Sequence, residues 1–142
     1  MLLMTAASTV VAATLTELAA NGHPTIRSSH VPVFVHIDPE GTPISSLAER
    51  CGVSRQAMSM TVRDLESLGY VVTAPSASDR RATLASLTER GARLCEDATR
   101  ISTAIATRWS DELGAEAVPE LRRYLRAIMS RSSGEAREAP SA

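Results

Sequence analysis

Hydrophobic positions recur at helical spacing along most of the chain and alternate in only one short stretch. From Leu2 to Ala20 the sequence is dominated by alanine and apolar residues, with one charge at Glu17. Asn21 and Gly22 suit a helix end, and Pro24 cannot continue a helix. The pattern predicts an N-terminal helix that needs burial on more than one side, with this apolar stripe: Val10, Val11, Leu15 and Leu18.

Three shorter helices are predicted next. One starts near Ser29 and ends before Asp38, and another starts at Thr42 and Pro43 and ends at Gly52. Ser54 is the expected cap of the third helix, which Gly69 ends. Its apolar stripe has steps of three and four residues: Ala57, Met58, Thr61, Val62, Leu65 and Leu68. Two helices joined by a short turn that contains glycine form a helix-turn-helix.

After Gly69 the pattern becomes that of strands. The segments YVVTA and ATLASL are typical of strands, and PSASDRR between them is typical of a turn, so we predict a β-hairpin. Helical spacing then resumes in a long seam: Leu94, Ala98, Ile101, Ile105, Trp109 and Leu113. After an interruption at LGAEAVPE comes a last stripe: Leu121, Tyr124, Leu125, Ile128 and Met129. We expect the small, polar residues 131–142 to be disordered.

Composition narrows the class of protein. A length of 142 residues with 44% hydrophobic content fits one domain with a modest core. We expect no apolar run to reach the roughly 18 residues of a membrane span. The first residues lack the basic region and the small-residue cleavage site of a secretory signal. We therefore expect a cytoplasmic protein. The net charge is −1, but residues 45–93 contain seven arginines against five acids. The basic excess is therefore local.

Sites for metals, cofactors or catalysis are not indicated. Cys51 and Cys95 lie far apart without a CxxC pair, and buried, inert thiols are favoured over a redox switch. His23, His30 and His36 lack the spacing of three or four residues that would place two ligands on one helix face. Neither a phosphate-binding glycine loop nor a nucleophile motif is visible, so we predict that the chain is not an enzyme and needs no cofactor.

The second helix of the helix-turn-helix carries residue types that bind DNA. Its cap, Ser54, would direct the helix N-terminus towards phosphates. Arginine and glutamine make bidentate contacts with guanine and adenine, serine contacts phosphate or base, and methionine touches the thymine methyl. We therefore predict a major-groove face made of these residues: Arg55, Gln56, Ser59, Met60 and Arg63. Asp64 and Glu66 are expected to face away.

The hairpin tip suits a different groove. Arg80 and Arg81 can enter the narrow minor groove, where the negative potential is concentrated, and Asp79 can hold one of them in place. The alternative is that these are solvated charges on an ordinary α+β domain. The combination with a helix-turn-helix favours DNA.

The segment LAERCGVSRQAMSMTVRDLESLGYV, followed by SDRRATLASLTERG, resembles the winged helix-turn-helix core of the MarR (multiple antibiotic resistance regulator) family of bacterial transcription factors. The resemblance covers about Thr25 to Leu94, and it is most specific in the hairpin phrase with Asp79, Arg80, Arg81, Leu87, Thr88 and Gly91. It implies a mainly α fold with a small β-hairpin wing and four regions. These are an N-terminal dimerisation helix (1–22), a winged helix-turn-helix (25–93), C-terminal dimerisation helices (94–130) and a tail (131–142).

The resemblance also implies a function. Members of the family are homodimers that bind pseudo-palindromic operators in double-stranded DNA, usually as repressors, and many are released by small aromatic ligands or by cysteine oxidation. By this resemblance Ser54, Arg55, Gln56, Ser59 and Arg63 meet the major groove, and Arg81, helped by Arg80, meets the minor groove. One departure is that Thr73 and Ala74 stand where the family commonly has a basic residue. The rival interpretation is a winged-helix protein-interaction module without specific DNA binding. The effector, the operator and the direction of regulation are not identified by the sequence.

Overall fold

The computed structural model describes residues 1–76 and 82–135, with side chains as far as residue 130. The described helices are α1 (Leu2–Ala20), a 3₁₀ turn (Ser28–His30), α2 (Val31–His36), α3 (Ile44–Cys51), α4 (Arg55–Ser67), α5 (Glu89–Leu113) and α6 (Ala117–Glu135). The strands are β1 (Thr42–Pro43), β2 (Val71–Pro75) and β3 (Thr83–Leu87). The predicted class, mainly α with a small hairpin, is confirmed. Two compact units, Met1–Ile101 and Ser102–Ala142, divide the chain within α5.

The helix-turn-helix of the first unit consists of α3, a tight turn and α4. Gly52 adopts φ 65° and ψ 31°, a left-handed conformation that glycine reaches without a steric penalty. The backbone N–H of Val53 then donates to the carbonyl of Ala48 at 3.0 Å and closes the end of α3. This arrangement confirms the predicted turn and the start of α4 directly after Ser54.

The sheet has three antiparallel strands in the order β1-β3-β2, so the predicted hairpin gains a third strand. Thr42 was expected to start a helix, but it pairs with Ala85 of β3 and Pro43 is the residue before α3. The Thr42 side chain is fully buried, where its hydroxyl accepts from the Asp38 N–H at 2.8 Å and donates to the Asp38 carboxylate at 3.0 Å. A partner 43 residues away decides this short strand, so no local pattern reveals it.

The core of the first unit lies between the helix-turn-helix, the sheet and the start of α5. Its most buried apolar side chains are those of Val33, Leu47, Val62, Leu65, Tyr70, Val71, Ala85 and Leu94. Gly91 of α5 packs directly on the backbone just before β2, since a Cβ atom there would overlap the carbonyl oxygen of Tyr70. The glycine of the TERG sequence is therefore required by the close approach of this helix to the backbone of Tyr70.

The second unit contains the end of α5 and helix α6. The interruption predicted at residues 113–120 is shorter in the structure, since α5 ends at Leu113 and α6 begins at Ala117. Val118 is buried and Leu125 is half-buried. Helix α6 continues to Glu135, so residues 131–135 are helical where a disordered tail was predicted to begin. Residues 136–142 lie outside the described part of the chain.

Helix α1 is more apolar than the sequence analysis allowed. Over an 18-residue window its mean hydropathy is 1.5, which with its 19 residues makes it long and apolar enough to cross a membrane by length and composition alone. The expectation that no such run exists is therefore wrong. Four threonines interrupt the apolar residues of this helix, but threonine hydroxyls such as those of Thr9 and Thr14 donate to backbone carbonyls four residues earlier. Because the helix also has only one charged residue, its mean hydropathy stays high. Leu18 is its one residue described as buried.

Candidate nucleic-acid interface

The N-terminus of α4 is capped as predicted and is open to solvent. Ser54 is extended, with φ −66° and ψ 149°, and its Oγ accepts from the backbone N–H of Ala57 at 3.1 Å. The earlier N–H groups of the first turn have no intrahelical acceptor, and the helix dipole adds partial positive charge there. This end of α4 is suited to bind an anion such as a DNA phosphate.

One side of α4 is buried and the other is exposed. Met58, Val62 and Leu65 form the buried side. Ala57 was predicted to lie in the same stripe but is exposed. The predicted DNA-contacting residues lie mostly on the exposed side: Ser54, Arg55, Gln56, Met60 and Arg63, with Ser59 half-buried.

The polar groups of the exposed side are largely unengaged. The side chains of Arg55, Gln56 and Arg63 form neither a hydrogen bond nor an ion pair with any described residue. Ser59 differs, because its Oγ donates to the carbonyl of Arg55 at 2.8 Å and keeps only its lone pairs for another partner. Met60 is 64% exposed. Arginine and glutamine groups without a protein partner are available to contact base edges, and an exposed methionine is available to contact a thymine methyl group.

Asp64, expected to face away, is bound to the turn before α2. Its Oδ2 lies 2.9 Å from Nε2 of His30 and also pairs with the guanidinium of Arg27. His30 is 1% exposed, and its Nδ1 accepts from the backbone N–H of Arg27 at 3.2 Å. Because the Arg27 N–H can only donate, Nδ1 of His30 is the acceptor. The N–H of the ring is therefore at Nε2, and it donates a hydrogen bond to Asp64. Sequence reasoning missed this contact, which spans 34 residues.

Glu66 is bound to the middle of β2. Its Oε1 accepts from the backbone N–H of Thr73 at 2.8 Å and from the Thr73 hydroxyl at 2.7 Å. The sequence did not indicate this contact, and the expectation that Glu66 faces away from DNA stays a prediction. Glu66 follows Arg63 by three residues and Ser59 by seven, which places it on their side of the helix. Its carboxylate is engaged by Thr73, which with Ala74 stands where the family commonly has a basic residue.

A second buried histidine, His23, joins the turn after α1 to Tyr70 and to α5. Nδ1 of His23 lies 3.0 Å from the hydroxyl of Tyr70, and Nε2 lies 3.2 Å from the carboxylate of Asp97. A hydrogen bond from Arg100, and to a smaller extent one from His23, holds the pKa of Asp97 below its usual value. The guanidinium of Arg90 stacks 4.4 Å from the ring centre of Tyr70. These contacts are structural, and within residues 1–76 and 82–130 no cluster of metal-ligating side chains is found.

Both cysteines are free and half-buried. The Sγ of Cys51 lies 3.7 Å from the carbonyl oxygen of Pro32 and donates to it. Burial raises the pKa of both thiols, and Glu96 adds to the effect on Cys95. A raised pKa lowers the fraction of reactive thiolate, which agrees with the inert role predicted for both.

The base of the hairpin is formed, while its tip is outside the described residues. Pro75 pairs with Thr83, and the N–H of Ser76 donates to the carbonyl of Ala82 at 2.9 Å. The predicted wing residues Asp79, Arg80 and Arg81 fall in residues 77–81, which the structure does not describe. Their role stays a prediction from the sequence.

Comparison with known proteins places the chain in a family. The family model described as MarR family matches residues 8–82, which is more than half of the chain. No curated protein matches the chain in sequence.

Solved structures extend the likeness to most of the chain. A MarR-family transcriptional regulator from Rhodococcus sp. RHA1 is 27% identical, with 89% of each chain covered and a TM-score of 0.71. CouR from Rhodococcus jostii RHA1, solved bound to p-coumaroyl-CoA, is 29% identical over 89% of this chain and 88% of its own, with a TM-score of 0.68. FabT of Streptococcus pneumoniae, solved in complex with DNA, shares the fold at 17% identity, 93% coverage of both chains and a TM-score of 0.77.

Proposed function

Since the chain belongs to the MarR family of DNA-binding transcriptional regulators, we propose that it acts as a homodimer that recognises a pseudo-palindromic operator. The family consists of regulators and not of enzymes. The observation that carries the proposal is the exposed side of α4, where Arg55, Gln56 and Arg63 have no partner among the described residues. We call α4 the recognition helix from here on.

The residues of the recognition helix divide into positioning and reading groups. Ser54 and the free N–H groups of the first turn bind a phosphate and set the depth of the helix in the major groove. Arg55, Gln56 and Arg63 have the donors and acceptors to read base edges, and Ser59 contacts phosphate or base. Met60 contacts a thymine methyl group.

The wing supplies affinity in the minor groove. Arg81, helped by Arg80, enters the groove, and Asp79 holds an arginine in place. The antiparallel pairing of β2 with β3 supports this assignment, because the two strands form the hairpin that the sequence predicts on either side of residues 77–81. Contacts in a groove with degenerate base edges add binding strength for many sequences alike.

Exposed apolar side chains support the homodimer. In the first unit, Leu2 and Met4 of α1 are 88% and 73% exposed. In the second unit, α6 exposes a stripe at helical spacing: Leu121, Tyr124, Ile128 and Met129. Apolar surface of this kind is typical of protein interfaces. Regions 1–22 and 94–130 are therefore the proposed dimerisation regions, and the family match from residue 8 onward favours this role for α1 over a membrane span.

We further propose that the protein is a cytoplasmic repressor, released by a small aromatic effector. The structure of CouR with p-coumaroyl-CoA supports an aromatic ligand of this class. The alternative function is a winged-helix interaction module without specific DNA binding. The balance of Arg55 and Arg63 by Asp64 and Glu66 favours it, although the Asp64 carboxylate is paired with Arg27 outside the helix.

The experiment is a titration of the protein with a duplex of its own upstream region and with a scrambled duplex, at several salt concentrations. We expect tight binding to the first duplex that falls steeply with salt, because arginine contacts release counterions. Arg55→Ala should lower the preference for the upstream duplex. Equal affinity for both duplexes would support the interaction module instead. Sedimentation of the free protein tests the dimer, and a monomer at micromolar concentration would contradict it.

A further inference from the structure

We infer that Glu66 is a positioning residue for DNA binding, which fixes the wing strand β2 against the recognition helix through Thr73. The inference rests on the proposed function, because it assumes that the recognition helix and the wing contact the same duplex. Two elements that enter different grooves must be held at a fixed angle to bind together. Glu66 joins them directly.

Thr73 is well placed for this contact because β2 is an edge strand. The strand order β1-β3-β2 leaves one side of β2 without a neighbouring strand in the described sheet. Outward N–H groups on such an edge need another acceptor. The Glu66 carboxylate takes the Thr73 N–H at 2.8 Å, and the same oxygen takes the Thr73 hydroxyl at 2.7 Å. A single oxygen atom thus binds both donors of one residue.

Apart from the ladder with β3, the other side-chain hydrogen bonds described near β2 reach only the turn before it. Arg90 donates to the carbonyl of Leu68 at 3.0 Å, and the Thr88 hydroxyl donates to the carbonyl of Gly69 at 2.7 Å. Both hold the turn between the recognition helix and β2. Among the described side chains of the recognition helix, Glu66 is the one that hydrogen-bonds to β2 beyond this turn. Glu66 therefore adds to the β3 ladder a direct link between the recognition helix and the middle of β2.

The charge of Glu66 opposes DNA binding, whereas its hydrogen bonds favour it. Its spacing from Ser59 and Arg63 places the carboxylate on the side proposed to face DNA, where a negative charge repels phosphates. Removal of the charge alone should strengthen binding, and removal of the hydrogen bonds should weaken it. The two effects have opposite signs, so substitutions can separate them.

The test measures affinity for a fluorescein-labelled duplex that the wild-type protein has selected from a random-sequence pool. Glu66→Ala should bind about three- to tenfold more weakly, as expected for the loss of one to two exposed hydrogen bonds. Glu66→Gln keeps the accepting oxygen and loses the charge, so it should bind as tightly as wild type or more tightly. Thr73→Val loses the hydroxyl but keeps the N–H, and its affinity should lie between those of wild type and Glu66→Ala.

Glu49→Ala is the matched charge control. Glu49 is exposed on α3, and its carboxylate has no hydrogen-bond partner among the described residues. Its loss removes one negative charge from the helix-turn-helix without removing a contact, so binding should be unchanged or tighter. If Glu66→Ala also bound as tightly as wild type or more tightly, the inference would be overturned.

Hydrogen exchange of the Thr73 amide in the free protein gives a readout that does not need DNA. We expect slow exchange in wild type and in Glu66→Gln, and at least severalfold faster exchange in Glu66→Ala. Equal exchange in all three proteins would overturn the proposed contact. If the wild-type protein showed no preference for any DNA sequence, the proposed function would be overturned, and with it the role of Glu66 in DNA binding. If the wild-type protein bound DNA specifically and Glu66→Ala bound with the same affinity, only the inference about Glu66 would be overturned.

Discussion

Nε2 of His30 lies 2.9 Å from Oδ2 of Asp64, and this contact ties the recognition helix to the turn before α2. His30 is buried while Asp64 is partly exposed. Asp64 thus orients the helix from one side, as we infer that Glu66 does from the wing side. The two carboxylates that make the recognition helix nearly neutral are therefore engaged in holding it.

Asp64→Ala should destabilise the fold, because it leaves the buried Nε2–H of His30 without its acceptor. The expected loss in the free energy of unfolding is about 1–3 kcal/mol, the usual penalty for an unsatisfied buried donor. Asp64→Asn keeps an accepting oxygen and should lose less. Urea unfolding followed by circular dichroism measures both. If Asp64→Ala had the same urea midpoint of unfolding as the wild-type protein, the contact would add nothing to stability.

Gln56 and Arg81 should affect DNA binding in different ways. Gln56→Ala should change the preference at one base position, because a bidentate contact to a base edge is lost. Arg81→Ala should weaken binding to most sequences alike, by reducing minor-groove attraction. Competition with duplexes that differ at single positions separates the two effects. If Gln56→Ala kept the wild-type preference, the proposed orientation of the recognition helix would be wrong.

Met60 should make binding sensitive to a single methyl group. Replacement of the contacted thymine by uracil removes only the 5-methyl group, so wild-type affinity should fall by about 0.8 kcal/mol, the value of one buried methylene. Met60→Ala should bind both duplexes with equal affinity. Uracil is placed at each thymine of the selected duplex in turn. Wild-type binding that is unchanged at every position would refute the contact.

The stability contributed by Asp97 should be lost in acid. Arg100 and then His23 lower the pKa of this carboxyl in the folded chain. A lowered folded pKa stabilises the fold above the unfolded pKa of about 3.9, and this contribution disappears as the pH falls through the folded value. Wild type should therefore be more stable than Asp97→Asn at pH 7, and the difference should shrink below about pH 4. Urea unfolding between pH 3 and 7 measures it, and a difference independent of pH would contradict the assignment.

Local patterns predicted the elements that depend on local signals. Gly52 and Ser54 are a turn residue and a cap, so the helix-turn-helix was visible in the sequence. The strand character of residues 70–74 and 82–87 likewise gave the two main strands. The exposed side of the recognition helix followed from the spacing of its apolar residues, except at Ala57, whose small side chain carries little information about burial.

Contacts between distant residues could not be predicted. Thr42 becomes a strand residue because β3 lies beside it, and no neighbour in sequence indicates this. His30 and Asp64 are 34 residues apart, and the sequence shows only an isolated histidine and an isolated acid. The contact between Glu66 and Thr73 likewise joins a helix to a strand, and no local pattern indicates which strand residue receives the carboxylate.

The central claim is that two recognition helices of a homodimer read one operator. Selection of duplexes from a random-sequence pool by the purified protein, followed by sequencing, tests it most directly. We predict enrichment of one motif with two inverted half-sites whose centres lie about 10 base pairs apart, one turn of DNA. Recovery of a pool without any enriched motif, under conditions where the protein is folded, would contradict the claim.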